Sequence, residues 1–168
     1  VHSLYEVGQG VSDGTWPTNY KINQSLRFEN ASSSYLSRSV GDGNPTTFTV
    51  SGWFKRTGFT TTYQNAWSSF TDNNNYFLIT VSDATALNES FRIQLFTGGT
   101  ETFLIRTSAI FRDYSQWYHF VVAINTNQLI ESDRAKIYIN GELITDFNNV
   151  SYPTRDINTL VNGTSHYI

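Results

Sequence analysis

The sequence predicts an all-β chain folded as a two-sheet antiparallel β-sandwich, and three observations carry that prediction. Only 15% of the 168 residues are charged while 15% are aromatic, and Ser, Thr, Asn and Gly fill the spaces between apolar runs, as in strands joined by polar turns. The apolar residues alternate with polar ones or form short unbroken runs, without the 3.6-residue period of an amphipathic helix. Roughly a dozen such runs recur at about 8–12-residue spacing, the rhythm of a sandwich or jelly roll.

Residues 1–22 hold Gly8, Gly10, Gly14 and Trp16-Pro17, breakers that predict an arm or linker ahead of a folded body spanning 23–168. Leu26 and Phe28 then alternate with Arg27 and Glu29, Ser32–Ser34 turn, and Tyr35-Leu36 resumes, which predicts a hairpin. Phe48 and Val50 alternate with Thr47, Thr49 and Ser51 until Gly52-Trp53-Phe54 breaks the count, as a bulge would. Ala66–Phe70 and Tyr76–Val81 flank the turn Asp72-Asn73-Asn74-Asn75. Phe91, Ile93 and Leu95 lead through Gly98-Gly99 to a return strand over Thr102–Thr107.

The run Trp117–Ile124 reads as a buried strand. The long loop Asn125–Arg134 connects it to Ala135–Ile139, where Ile137 and Ile139 alternate with Lys136 and Tyr138. Asn140-Gly141 then predicts a tight hairpin turn, because both turn positions require positive φ. A polar loop is expected after Phe147, followed by strands at Ile157–Val161 and Tyr167-Ile168. Trp117, Val121, Ile137 and Ile139 are the firmest core assignments, and Trp53 is also assigned to the core.

Eleven basic residues against fourteen acidic ones, with no basic run, lack the electrostatic footprint of a nucleic-acid binder. The absence of cysteine removes disulfides and thiolate metal sites. No stretch approaches the length of a membrane span or has the pattern of a signal peptide, so the chain reads as soluble. Beginning at Val1 and lacking Met, it reads as mature or as a processed piece of something longer.

Catalytic patterns fail on their chemistry. Gly10–Gly14 (GVSDG) matches a nucleophile elbow formally, but that serine needs a strand before it and a helix after it, and Trp16-Pro17 would break the helix. Ser12 is therefore linker. His2, His119 and His166 have no metal-ligand spacing, and His119 reads as a packed strand histidine.

Several segments together resemble a known family: Ser25–Asn30 (SLRFEN), Tyr35–Ser37 (YLS), Phe48–Arg56 (FTVSGWFKR), Trp117–Val122 (WYHFVV) and Lys136–Gly141 (KIYING). They look like consecutive signatures of concanavalin A-like, laminin-G-like jelly rolls over most of 25–147. The wording YLSR, WFKR, FRD and WYH is similar to versions of this domain in structural proteins of marine bacteriophages. The resemblance implies a sandwich that binds glycans or proteins, usually without catalysis. Glycanase relatives carry Glu-x-Asp-x-x-Glu, whose paired carboxylates perform retaining hydrolysis. Here Glu131 and Asp133 are followed by Lys136, a cation that cannot replace the last carboxylate, so no enzyme is expected. Relatives also close with a strand beyond the segment matching His166–Ile168. A missing last strand predicts unpaired backbone beside residues 25–29, an edge that another segment or chain completes.

Ligand binding is expected on loops of a rigid scaffold. Tyr63, Trp67, Asp72, Asn74 and Asn75 supply stacking faces and hydroxyl partners near one turn, although a core role competes for Trp67. Asp72 is the candidate calcium ligand in that turn, since calcium takes oxygen donors from loops; an ordinary Asx turn is the alternative. The expected function is a non-catalytic virion module, as a tail, receptor-binding or capsid decoration protein. Its expected partners are other virion proteins, copies of itself or cell-surface glycan, with neither nucleic acid nor membrane insertion. The alternative is an extracellular lectin or adhesion domain of a cell.

Overall fold

A computed structural model describes residues 25–28, 34–56, 64–82, 89–162 and 164–168. The chain divides into a unit over 1–35 and a unit over 36–168. The arm 1–22 and Ser12 lie outside the described residues. Within the first unit, 25–28 are exposed and not in a strand, so the hairpin expected from Leu26 and Phe28 is not formed by its described residues.

The second unit is all β. Its strands are β1 (Ser37–Ser39), β2 (Thr47–Phe54), β3 (Gln64–Asp72), β4 (Asn75–Ser82), β5 (Ser90–Thr97), β6 (Thr100–Ile110), β7 (Tyr118–Asn125), β8 (Ala135–Ile139), β9 (Glu142–Leu143), β10 (Phe147–Ser151) and β11 (Ser165–Tyr167). They form a seven-stranded sheet, β1-β11-β3-β4-β5-β6-β10, and a four-stranded sheet, β2-β7-β8-β9, with antiparallel pairing throughout. This is the expected two-sheet sandwich. The strand β11 sits between β1 and β3, inside the large sheet.

The core lies where inward-pointing rows of the two sheets meet. Phe77 and Ile79 of β4, Phe91, Ile93 and Leu95 of β5, and Phe103 and Ile105 of β6 are buried from the large sheet. Tyr118, Phe120, Val122 and Ile124 of β7 and Ile137 and Ile139 of β8 are buried from the small one. Rings interlock between the sheets: Phe48 meets Phe77 edge-on at 5.7 Å, and Phe54 lies 6.2 Å from Phe91. Such aromatic pairs add about 0.5–1.5 kcal/mol each beyond their burial.

Ile137 and Ile139 are core as expected. Trp117 and Val121 are not, because β7 buries its even-numbered positions and leaves its odd ones half-buried on the other side. A one-residue error in phase moves a whole set of side chains to the opposite face. Trp53 is a correction of the same kind. β2 pairs with β7 without any register shift, so no bulge interrupts it, and Trp53 projects outward at 55% exposure.

Two further segments differ from expectation. Phe147–Ser151 was expected to open a polar loop and instead pairs with β6. Ile157–Val161 was expected as a strand and is irregular, with Asp156 at φ 60° and Leu160 at φ 59°, left-handed values that interrupt an extended chain. Its Val161 nonetheless plugs the core. The Asn140-Gly141 turn has both residues at positive φ, 52° and 86°, as a primed hairpin turn requires.

The sheets are also joined by a buried polar cluster. Arg56, just after β2, places Nη1 2.9 Å from Oε1 of Glu89, just before β5. Arg112 Nε lies 2.9 Å from Glu89 Oε2, and Tyr114 donates its hydroxyl to Glu89 Oε1 at 2.7 Å. Arg56 also donates to Gln64 and to the Phe111 carbonyl, with its guanidinium 5.3 Å from the Tyr114 ring centre. Burial pushes the Glu89 carboxyl up, but the hydrogen bonds from Tyr114 and Arg56 and the charges of Arg56 and Arg112 outweigh it and hold the carboxyl below its ordinary value.

Candidate functional site

Of the residues expected to form a ligand site, Tyr63 lies outside the described residues. Trp67 is buried at 7% exposure, edge-on to Phe77 at 5.9 Å and to His166 at 4.7 Å, and so presents no open face for stacking. Asp72, Asn74 and Asn75 do share the β3–β4 turn. Asp72 Oδ1 accepts from the Asn74 backbone N–H at 2.8 Å and from Asn75 Nδ2 at 3.0 Å. Asn75 Oδ1 accepts from Gly98 N, and Gly99 N donates to the Asn74 carbonyl. The polar groups of this rim therefore tie two neighbouring turns together. Among the described residues no three His, Cys, Asp or Glu side chains gather as a metal site would.

Polar and aromatic groups converge instead on the outer face of the small sheet. Because β2 turns its half-buried even positions toward the core, Thr47, Thr49, Ser51 and Trp53 project outward together. The β2–β7 register sets them beside Asn125, Ala123, Val121 and His119, and the β7–β8 register adds Lys136 and Tyr138. Trp53 and His119, directly paired across the two strands, lie with ring centres 4.9 Å apart. This leaves most of the Trp53 face to solvent. Four to six residues away along β2, about 13–20 Å at the strand rise, a hollow of about 370 Å³ is lined by Thr47, Thr49, Ala123, Ile124, Asn125, Gln128, Asp133 and Lys136. Thr49, Ser51 and Ala123 are small, so a shallow floor runs from the hollow to Trp53.

The wall of the hollow is the connection between β7 and β8, which its own side chains fix. Arg134 donates to the carbonyls of Gln128, Leu129 and Pro153 at 2.9, 3.0 and 3.1 Å. Thr126 is fully buried and donates to the Ile157 carbonyl. A single 3-10 turn, Glu131–Asp133, brings Asp133 to Lys136 at 3.0 Å. The hydrogen bond and charge of Asp133 push the Lys136 ammonium above its ordinary value, so it remains a cationic donor at neutral pH. Thr47 donates to Asn125 Oδ1 at 3.3 Å across the mouth. The hollow thus offers a carboxylate, an ammonium, two amides and two hydroxyls, donors and acceptors in mixed order. Glu131 is exposed, and Asp133 is paired with Lys136, the cation that stands where the glycanase pattern has its last carboxylate.

The sequence reading missed this face, although its signal was present. The alternation Phe48, Val50, Phe54 inward sends Trp53 outward, provided Gly52 is counted as an ordinary strand position.

Comparison with known proteins places the fold. No curated protein sequence matches the chain. Among solved structures, the heptameric SAP-like pentraxin from Limulus polyphemus is similar, with a TM-score of 0.47 and 16% identity over 80% of this chain; the match spans 63% of the pentraxin chain. The family model of the concanavalin A-like lectin/glucanases superfamily matches residues 29–166, which takes in both sheets, the β7–β8 connection and the outer face just described. By that match the chain belongs to the concanavalin A-like lectin/glucanases superfamily.

Proposed function

We propose that the chain is a non-catalytic glycan-binding module whose contact surface is the outer face of the β2-β7-β8-β9 sheet. One observation carries the reading: an exposed tryptophan face and a hollow lined by polar side chains share one sheet face, about 13–20 Å apart along β2. An indole face suits the apolar C–H side of a sugar ring, and Asp133, Lys136, Asn125 and Gln128 match hydroxyl groups that both donate and accept. Membership of a superfamily named for lectins and glucanases supports the same ligand class, and the pairing of Asp133 with Lys136 supports binding without turnover.

The setting we propose is a virion, where such a module serves as a tail, receptor-binding or capsid decoration element. The YLSR, WFKR, FRD and WYH wording supports that setting over a cellular extracellular lectin. A glycan array read with the unaltered chain, Trp53→Ala and Lys136→Met tests the function. Binding of a glycan class that falls at least fivefold in both variants supports it. Glycan binding that both substitutions leave unchanged would place the site elsewhere, and no binding at millimolar glycan would refute the reading.

A further inference from the structure

The outer face of the small sheet has a length, a direction and a charge balance, and each narrows the ligand it can hold. Trp53 stands four to six residues along β2 from Thr49 and Thr47, which border the hollow, a separation of about 13–20 Å at the strand rise. A pyranose ring is about 5 Å across at ordinary bond lengths, so about three to four rings in a row are needed to reach both features. A single ring reaches only one of them.

The ground between is low. Its outward residues are Thr49 and Ser51 of β2 and Val121 and Ala123 of β7, none of them long enough to stand in the way. On the next strand Lys136 lies opposite Ala123 and Tyr138 opposite Val121. These two long side chains form a rail along the β8 flank, so the low course runs lengthwise over β2 and β7 rather than across the sheet.

Charge on this face cancels locally. Lys136 is paired with Asp133 at 3.0 Å. Lys55, two residues beyond Trp53, is close to Asp113, whose carboxyl is held below its ordinary value by hydrogen bonds from Ser115 and Gln116 and by the Lys55 charge. Arg134, in the wall of the hollow, directs its guanidinium to the carbonyls of Gln128, Leu129 and Pro153, and Glu131 adds an exposed negative charge. Among the described residues of this face each ammonium thus has a carboxylate beside it. An acidic polysaccharide would meet repulsion wherever it met attraction, whereas uncharged hydroxyls can donate to Asp133 and accept from Lys136 at once.

We infer that this face takes an uncharged, extended glycan of at least three rings, laid lengthwise over β2 and β7 with one ring on Trp53 and another in the hollow. The inference rests on the glycan-binding reading above and narrows it to a ligand class. Short sugars and acidic polysaccharides are the poor ligands.

Calorimetric titration with neutral gluco-, manno-, galacto- and xylo-oligosaccharides of two to six rings tests the length, with oligogalacturonate and heparin fragments as acidic probes. In one neutral series the affinity should rise at least tenfold from two rings to four, about 1.4 kcal/mol, and less than twofold from four to six. In Trp53→Ala the gain should vanish, four rings binding no more tightly than two, and Trp53→Tyr, which keeps a stacking face, should restore most of it. Tryptophan fluorescence gives a second readout: four rings should shift the emission of the unaltered chain, and Trp53→Ala should lose the shift. Raising NaCl from 50 to 500 mM should change the affinity less than twofold, since a neutral ligand has no charge for salt to screen. Equal affinity for two and four rings, a length gain that survives in Trp53→Ala, or a preference for an acidic probe that weakens with salt overturns this inference and leaves glycan binding itself standing. No binding of any neutral probe at millimolar concentration also overturns it, and a glycan array that is blank as well removes the glycan-binding reading.

Discussion

Replacing Glu89 by Gln keeps the shape of the buried cluster and removes its only negative charge. In the native cluster the Arg56 and Glu89 side chains are 2% and 9% exposed, so solvent cannot take over the role of the lost carboxylate. Arg56 keeps its neutral acceptors Gln64 and Phe111, but its buried guanidinium loses its counter-ion. Breaking one partner of a buried pair costs about 3–5 kcal/mol, and the retained acceptors put this case near 3 kcal/mol. Against a total stability of about 5–15 kcal/mol, at about 2–4 °C per kcal/mol for a chain of this size, the melting temperature should fall by about 10 °C at pH 7. The pH dependence has a definite sign. Glu89 is held below its ordinary value of 4.5, so the folded state binds this proton less readily than the unfolded chain. The contribution is then full above pH 4.5 and lost as the pH falls through the folded-state value. The gap between native and Glu89→Gln melting temperatures, followed by calorimetry from pH 7 to pH 3, should therefore close at the acid end. A variant melting within 2 °C of the native chain at pH 7, or a gap that widens in acid, would refute the claim that this ion pair holds the two sheets together.

Four other outcomes follow from the same structure. Val122→Ala, which opens a void at a fully buried position of β7, should cost about 2 kcal/mol by chemical denaturation, while Val121→Ala on the outer face should cost about 0.5 kcal/mol; equal costs would mean the phase of β7 is misread. Gly141→Ala must adopt φ near 86° with a side chain, so equilibrium unfolding should show a loss of about 1 kcal/mol. Asp72→Ala removes the acceptor for Asn74 and Asn75 and should cost about 1 kcal/mol with or without calcium; a calcium-dependent rise in melting temperature that disappears in Asp72→Ala would instead make the turn a calcium site. Trp53→Ala, at a side chain 55% exposed, should shift stability by no more than about 0.5 kcal/mol, so any loss of glycan binding in this variant reports the contact itself rather than unfolding.

What could be read from the sequence divides according to how local its cause is. The Asn140-Gly141 turn and the alternation of β8 are set by residues within a few positions of one another, and the structure forms both as expected. β7 hid its phase because apolar residues line both faces: Val121 and Ala123 look outward as Val122 and Ile124 look inward. Only the register against β2 and β8 tells the two sets apart. β10, with Asn148 and Asn149 at its centre, has little strand preference of its own and is extended because β6 offers an edge over residues 104–107. The reverse holds for Ile157–Val161, whose apolar composition suggested a strand although left-handed residues prevent one. In each case pairing or packing with distant residues overrode local preference.

The candidate site shows why function was harder to read than fold. Tyr63, Trp67, Asp72, Asn74 and Asn75 were grouped because they are close in sequence. The structure buries Trp67 in the core and commits the Asp72 turn to holding its neighbouring turn. The residues that do meet, Thr47, Thr49, Asn125, Gln128, Asp133 and Lys136, come from three strands and a loop, some 80 positions apart in the chain. Two facts bring them together: the unbroken β2–β7 register and the fixing of the β7–β8 connection by Arg134. Trp53 joins them because Gly52 is an ordinary strand position, at which an added Cβ would press within 3.2 Å of Phe120. That glycine lets the ring of Phe120 pack closely beneath β2 without bending the strand, and the unbent strand is what turns Trp53 toward solvent.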